Sequence, residues 1–281
     1  MIDLHTHTNC SDGTDSPFAL VNKALSSGIT TLGITDHDTT SGWAEAITAA
    51  RKPISLVLGA EISTLTLDGI SVHILGLLFD GENEQMQTML SEARDTRIPR
   101  MRKMIELLRA DGYAITMEDV IKATPAGATL GRPHLADALV SNGVVKSRDE
   151  AFENLLHNES KYYVTHATPT PESAIQTIAA AGGVSIIAHP MASRRGAVIS
   201  TSMFSALVDA GLNGIEVDHR DQTAAERVEL REVAHELDLV VTGASDYHGT
   251  GKMNSLGENL TDPAQWDRLE SLASHRRVVT P

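Results

Sequence analysis

The stretch that decides the fold is the first one, MIDLHTHTNCSDGT, residues 1–14. Ile2 to Leu4 reads as a short strand, His5 and His7 follow two positions apart, and Asp12 comes five positions later. Alternate residues of an extended chain point to the same side, so His5 and His7 can face one ion. The same figure, an apolar run that ends in histidine or carboxylate, returns along the chain. Thr31 to Thr35 leads into Asp36, His37 and Asp38, and Ile54 to Leu58 leads towards Glu61. Val184 to Ala188 ends on His189, and Leu239 to Thr242 is followed by Asp246 and His248. His73 lies within Val72 to Leu78, and Gly214 to Val217 completes seven strand candidates.

Helix-like stretches separate these runs, the alternation of βα units around a parallel sheet. Ser16-Pro17, Thr170-Pro171 and Asp262-Pro263 are helix starts, and Gly28, Gly182 and Gly211 sit where helices stop. Ligand-type side chains at strand ends mark the catalytic rim of a β/α barrel. The expected fold is therefore α/β, a (β/α)7 barrel. The rhythm fails between residues 81 and 166, where MRKMIELLRADG and PHLADALVSNG are helical in character. The predicted organisation is a discontinuous metal-binding barrel, 1–80 and 167–281, with a small helical insertion, 81–166, that forms part of the substrate site. The insertion holds 11 basic and 13 acidic residues against 12 and 24 in the rest, so cations are concentrated where a phosphate needs them.

At 281 residues, with 41% hydrophobic and 21% charged, the chain has a globular composition. A formal net charge of −14 opposes binding to duplex nucleic acid or to anionic lipid. No apolar run approaches the roughly 18 residues of a membrane span. The lone Cys10 cannot form an internal disulfide, which fits a reducing compartment. A cytoplasmic enzyme with no membrane contact and no obligate protein partner is expected.

A single histidine near a strand end is more often structural than a ligand. Six histidines and three carboxylates at one rim reverse that preference: His5, His7, Asp12, His37, Glu61, His73, His189, Asp246 and His248. Imidazole mixed with carboxylate suits Zn, Mn or Fe. Nine donors exceed the three or four that one catalytic ion needs, which predicts two or three divalent ions sharing carboxylates. Asp36 and Asp38 are expected behind His37, fixing its tautomer.

HxH followed by SDGT, then ITDHDT, GAEI, an isolated histidine, AHP and SDYH resemble the PHP (polymerase and histidinol phosphatase) superfamily in order and spacing, over roughly 1–80 and 167–281. The resemblance implies a distorted seven-stranded barrel and carries over all nine ligands. It implies His5, His7, Glu61 and Asp246 on one ion, Glu61, His73 and His189 on a second, and Asp12, His37 and His248 on a third. Manganese is the first choice of metal, and Glu61, His189 and Asp246 stand at the reacting centre.

The helical segment with GRPHLADALVSNG and YYVTHATP looks like the subgroup that removes the 3′-phosphate of nucleoside 3′,5′-bisphosphates, some of whose members trim 5′ ends of RNA. The implied reaction is hydrolysis of that phosphate, as from adenosine 3′,5′-bisphosphate to AMP, by metal-activated hydroxide. Alternatives are a 5′-3′ exoribonuclease on short 5′-phosphorylated RNA, a histidinol phosphatase, and a non-catalytic metal-binding regulatory module. Small nucleotide bisphosphates or short oligonucleotides are the expected partners. Arg132 and His134 flank a helix start whose free N–H groups favour an anion. Arg97, Arg100 and Lys161 are further candidates for a second phosphate, with Arg194 and Arg195 ranked behind them. His166 is placed near the substrate, while His157, His219, His235 and His275 read as surface or structural histidines. Cys10 reads as a small loop residue. Tyr162 and Tyr163 are expected to pack the insertion onto the barrel in preference to stacking on a base.

Overall fold

A computed structural model of the chain describes residues 1–165, 167–275 and 278–281. One sheet holds seven strands in chain order: β1 (Ile2–Asp3), β2 (Thr31–Ile34), β3 (Ser55–Leu65), β4 (Ser71–Leu77), β5 (Val184–Ala188), β6 (Gly214–Asp218) and β7 (Val240–Gly243). The sheet nearly closes into a barrel, because beyond β1 and β7 Thr6 bridges Tyr247 and His7 N donates to Tyr247 O at 2.8 Å.

The expected parallel sheet needs one correction: β4 runs antiparallel to both β3 and β5. Only residues 66–70 join β3 to β4, with Gly69 at φ +83°. So short a link makes a hairpin, whereas a parallel return takes about a dozen residues or more. The reversal brings the N-terminal end of β4, with His73 opposite Ser63 and Ala188, to the rim that other strands reach with their C-terminal ends.

Around the barrel lie α1 (Pro17–Ser26), α2 (Trp43–Ala49) and α3 (Glu84–Asp95). The insertion follows as α4 (Arg97–Ala110), α5 (Met117–Ala123), α6 (Arg132–Ser141) and α7 (Arg148–Ala151), which runs into a π turn at Phe152–Leu156. The chain then returns through α8 (Pro171–Ala180), α9 (Met203–Asp209), α10 (Ala224–Glu236) and α11 (Pro263–Leu272). Ser16, Thr170 and Asp262 cap α1, α8 and α11, each with proline in the first turn, as the sequence predicts. No helix among the described residues is long and apolar enough to cross a membrane.

Strand periodicity sorts the core into layers. In β5, Ile187 joins the outer cluster, which is packed by helices, while Val184, Ile186 and Ala188 turn to the opposite face with Val57, Leu75 and Val240. Glu61 shares its parity along β3 with Val57 and so continues that inner face up to the rim. Met101, Met104, Leu108, Leu135, Leu139 and Tyr162 form a separate core within the insertion. Met86, Met89 and Leu90 of α3 instead pack into the barrel's outer cluster. Within the segment 81–166, α3 thus packs on the barrel and the separate core is formed from α4 onward. Tyr162 holds that segment together, its hydroxyl donating to Asp111 at 2.6 Å, rather than tying it to the barrel.

Candidate metal centre

The strands deliver nine donor side chains to one buried place. His5 and His7, just past β1, bring their Nε2 atoms within 3.0 Å of each other. Glu61 Oε2 lies 3.4 Å from His5 Nε2 and 3.2 Å from His7 Nε2, and Asp246 Oδ1 lies 3.6 and 3.4 Å from the same two atoms. On the other oxygen of Glu61, Oε1, His73 Nδ1 stands at 2.8 Å and His189 Nε2 at 3.2 Å. Asp12 closes the group, with His248 Nε2 at 3.3 Å, His7 Nδ1 at 3.6 Å and His37 Nε2 at 3.7 Å. His189 and Asp246 take φ of +31° and +51°, values that non-glycine residues seldom adopt. Such strain persists only where the surroundings over-determine it, and both residues turn from a strand end into the cluster.

Electrostatics divide the imidazoles. Burial pushes His37 down to about 3, and burial with the nearby Lys252 ammonium takes His248 down to about 4. Burial and then the Arg195 charge hold His189 well below the usual range. These three rings are neutral near pH 7 and offer lone pairs. Burial also disfavours charge on His7, but hydrogen bonds to Asp246 and Glu61 outweigh it and raise His7 to about 9. Burial opposes ionisation of Glu61, Asp12 and Asp246, yet the surrounding cations and imidazoles hold all three well below the ordinary carboxylate range.

This donor set fits divalent ions. His37 Nδ1 and His248 Nε2 are buried with no hydrogen-bond partner among the described residues, although carboxylate oxygens stand at 3.1 and 3.3 Å. Buried polar atoms are rarely left in that condition unless something else binds them. Four overlapping groups each bring one ligand atom per residue within 4.8 Å of the others: His7, Asp12, His37 and His248; His5, His7 and Glu61; His37, Glu61 and His73; and His5, His189 and Glu216. The cluster is able to bind metals.

The PHP domain model matches residues 3–123. A 5′-3′ exoribonuclease of Haemophilus influenzae is 35% identical over 262 residues, which span 92% of this chain and 93% of that one. A 3′,5′-nucleoside bisphosphate phosphatase of Chromobacterium violaceum is 31% identical over 89% of this chain and 88% of its own.

The chain belongs to the PHP domain family.

A Bifidobacterium adolescentis structure assigned to the metal-dependent phosphoesterases agrees in fold, with a TM-score of 0.91 at 39% identity over 97% of this chain and 96% of that one. The PHP family read from the sequence is thus shown by relatives and by fold, and the protein is a metal-dependent phosphoesterase.

Around the nine candidate donors stands a layer that sequence reasoning largely missed. Glu216 of β6, fully buried, holds His5 Nδ1 through Oε1 at 3.0 Å and accepts from His189 N through Oε2 at 3.0 Å. A carboxylate inside the short apolar run GIEVD was the available signal. His219, expected at the surface or in a structural role, is fully buried against the cluster. Its Nδ1 accepts from Asp221 N at 3.1 Å, so the ring proton sits on Nε2 and points to Asp246 Oδ2 at 3.3 Å. Arg195, ranked low, reaches the same oxygen at 2.8 Å, as does Lys252 at 2.9 Å. Arg195 was signalled only by its place just after AHP, and Lys252 carried no motif that would have singled it out.

The reading of Asp36 and Asp38 as partners of His37 is corrected. Asp36, the neighbour before His37, points to the other side of the chain, and Asp38, at φ +52°, turns away from the ring. Asp36 accepts from Thr8 N at 2.8 Å and from Ser11 Oγ at 2.7 Å, shaping the loop that carries Asp12. Asp38 accepts from Ser63 N at 2.8 Å and from Arg97 Nε at 3.0 Å.

A cavity of about 810 Å³ rises from the cluster, walled on the far side by the insertion. Arg97, Arg100, Arg132 and Arg194 line it, as do Phe152, Asn158 and Tyr163. Arg97 is neutralised by Asp38. Arg100 donates to Val164 O at 2.6 Å and Arg132 to Leu156 O at 2.8 Å, and the two guanidiniums stand 5.2 and 5.1 Å from the Tyr163 ring. Neither has a carboxylate partner among the described residues; burial and the neighbouring Arg132 charge pull Arg100 down to about 10. His134 is not on this wall: it is buried, with Nδ1 accepting from Gly131 N at 3.0 Å, so the ring satisfies the helix start that it was expected to leave open for an anion. Lys161 is also off the wall, exposed and paired with Asp111. His166 lies outside the described residues.

Proposed function

We propose that this PHP domain hydrolyses the 3′-phosphate of nucleoside 3′,5′-bisphosphates, with the segment 81–166 supplying the far wall of the substrate site. One observation carries the reading: Arg100 and Arg132, on the cavity wall facing the cluster, are half-buried cations without a carboxylate partner among the described residues. Two half-buried guanidiniums that lean on carbonyls and on the Tyr163 ring keep their positive charge unbalanced, so the pair is a site for an anion that arrives with the ligand. A substrate with two phosphates satisfies both ends of the cavity, and contact with the distant phosphate positions the reacting one.

His5, His7, Glu61 and Asp246 would hold one divalent ion, Glu61, His73 and His189 a second, and Asp12, His37 and His248 a third. Divalent ions there supply charge for the phosphoryl oxygens and a lowered pKa for water; manganese is our first choice, with zinc or iron next. The chain's own part is geometric. Asp246 is held by Arg195, Lys252 and His219 on one oxygen, which leaves the other facing His5 and His7. Glu216 keeps His5 and His189 in place. His189, neutral and against Glu61, lines the floor where the reacting phosphate would rest.

The likeness to the Haemophilus influenzae exoribonuclease favours a second reading, removal of nucleotides from the 5′ end of short RNA. Incubating manganese-loaded protein with adenosine 3′,5′-bisphosphate and with a short 5′-phosphorylated RNA separates the two. Faster phosphate release from the bisphosphate is the expected result; mononucleotide release from the RNA as the dominant reaction overturns it.

A further inference from the structure

One side chain links the insertion to the barrel loop that holds Asp246. Asn158 follows the π turn of the insertion, and its amide uses both ends. Oδ1 accepts from Arg132 Nη1 at 2.7 Å, while Nδ2 donates to Arg195 O at 2.9 Å. The residue after Arg195, Gly196, has φ +131°, and a Cβ on it would stand 3.0 Å from Asn158 Nδ2 and 3.1 Å from Asn158 Cβ, so that loop lies flat against the Asn158 side chain. The Arg195 side chain continues the chain of bonds to Asp246 Oδ2 at 2.8 Å. From Arg132 to Asp246, every link is a hydrogen bond or a covalent bond.

Resting on the bisphosphate reading above, we propose that Asn158 is a specificity-determining positioning residue: it sets the separation between Arg132, at the distant phosphate, and the Arg195–Asp246 pair, at the reacting one. An amide suits the role because it presents an acceptor to a guanidinium and a donor to a carbonyl at once. The substitution Asn158→Asp would turn an oxygen towards the Arg195 carbonyl, and Asn158→Ala would leave both partners unheld. A substrate with two phosphates engages both ends and is sensitive to their spacing, since a displacement of about 1 Å can lower a rate about 100-fold. A substrate with one phosphate engages one end and is far less sensitive.

The test compares kcat and KM on adenosine 3′,5′-bisphosphate with those on an aryl monophosphate, for Asn158→Ala, Asn158→Asp, Arg132→Ala and the Asn158→Ala/Arg132→Ala double variant. For Asn158→Ala the ratio of kcat/KM, bisphosphate over aryl phosphate, is expected to fall about 10-fold. The loss sits in kcat, because Arg132 still binds its phosphate. Arg132→Ala lowers the same ratio through both KM and kcat, and the double variant falls little further than Arg132→Ala alone. Should Asn158→Ala fold poorly, Asn158→Leu, added to the set, decides, since it fills the same space and removes both contacts without placing a carboxylate on Arg132. An equal loss on both substrates, an unmoved ratio, or independent losses that multiply in the double variant overturns the role of Asn158 while leaving the bisphosphate reading in place. If Arg132→Ala itself leaves the ratio unmoved, the bisphosphate reading fails and the role of Asn158 fails with it.

Discussion

Arg195 donates from Nη2 to Oδ2 of Asp246 at 2.8 Å, on the side away from the cluster. With Lys252 and His219 on the same oxygen, it leaves Oδ1 directed at His5 and His7. Groups of this kind behind metal ligands typically matter by about 10- to 100-fold in affinity or activity. Arg195→Met is therefore expected to lower kcat and manganese affinity by about that factor, read by steady-state kinetics and metal titration. Wild-type values for both would reject the arrangement.

Glu216 makes a separate prediction, because it touches two of the proposed ligands and does not line the cavity. Glu216→Gln removes one of the two acceptors that His5 Nδ1 and His189 N share. Metal content after dialysis against limiting manganese is expected to drop, with affinity down by about 10-fold or more. Full retention of metal by the folded variant would show that Glu216 is dispensable.

A third prediction concerns protons. His7, raised to about 9 in the metal-free protein, is protonated at pH 7.5, but a ligating imidazole is neutral. Metal uptake should thus release a proton from His7 and strengthen as pH rises towards about 9, whereas His37 and His248, at about 3 and about 4, release none in that range. The sign for the metal-free fold is opposite: the raised His7 value stabilises it fully below about 6.5, and that contribution is lost as pH climbs through about 9. Calorimetry in buffers of different ionisation enthalpy measures the release, and no proton released at pH 8 would sink the prediction.

Arg97 and Asp38 give a stability prediction. Both are buried, and the pair joins the start of α4 to the rim. Arg97→Met strands the Asp38 carboxylate and should cost about 3 kcal/mol in urea unfolding, because breaking one side of a buried pair leaves an uncompensated charge. Adding Asp38→Asn should restore part of that loss. A double variant less stable than Arg97→Met would contradict the explanation.

Much of the site was legible before folding, because metal ligands must be a few residue types and a β/α barrel puts them where strands end. HxH, DHD, AHP and SDYH announce themselves in that way. Glu216 and His219 did not, since a carboxylate in a strand and a histidine in a loop carry no mark of what they face. His134 shows the opposite error: its place at a helix start suggested an anion site, but its own ring fills the bond that the anion would have taken.

The linear chain by itself determined the number and order of the strands, the helix starts at Ser16, Thr170 and Asp262, and the chemistry of the nine proposed donors, since these depend on local periodicity, on proline and capping residues, and on side-chain type. Tertiary structure alone decided that β4 reverses, that Asp246 shows one oxygen to the cluster and the other to Arg195, and that Arg100 and Arg132 stand over the cavity without a carboxylate partner among the described residues while Lys161 has one. Those outcomes depend on which distant groups meet, and a charge has a partner, or lacks one, only after the chain has closed around it.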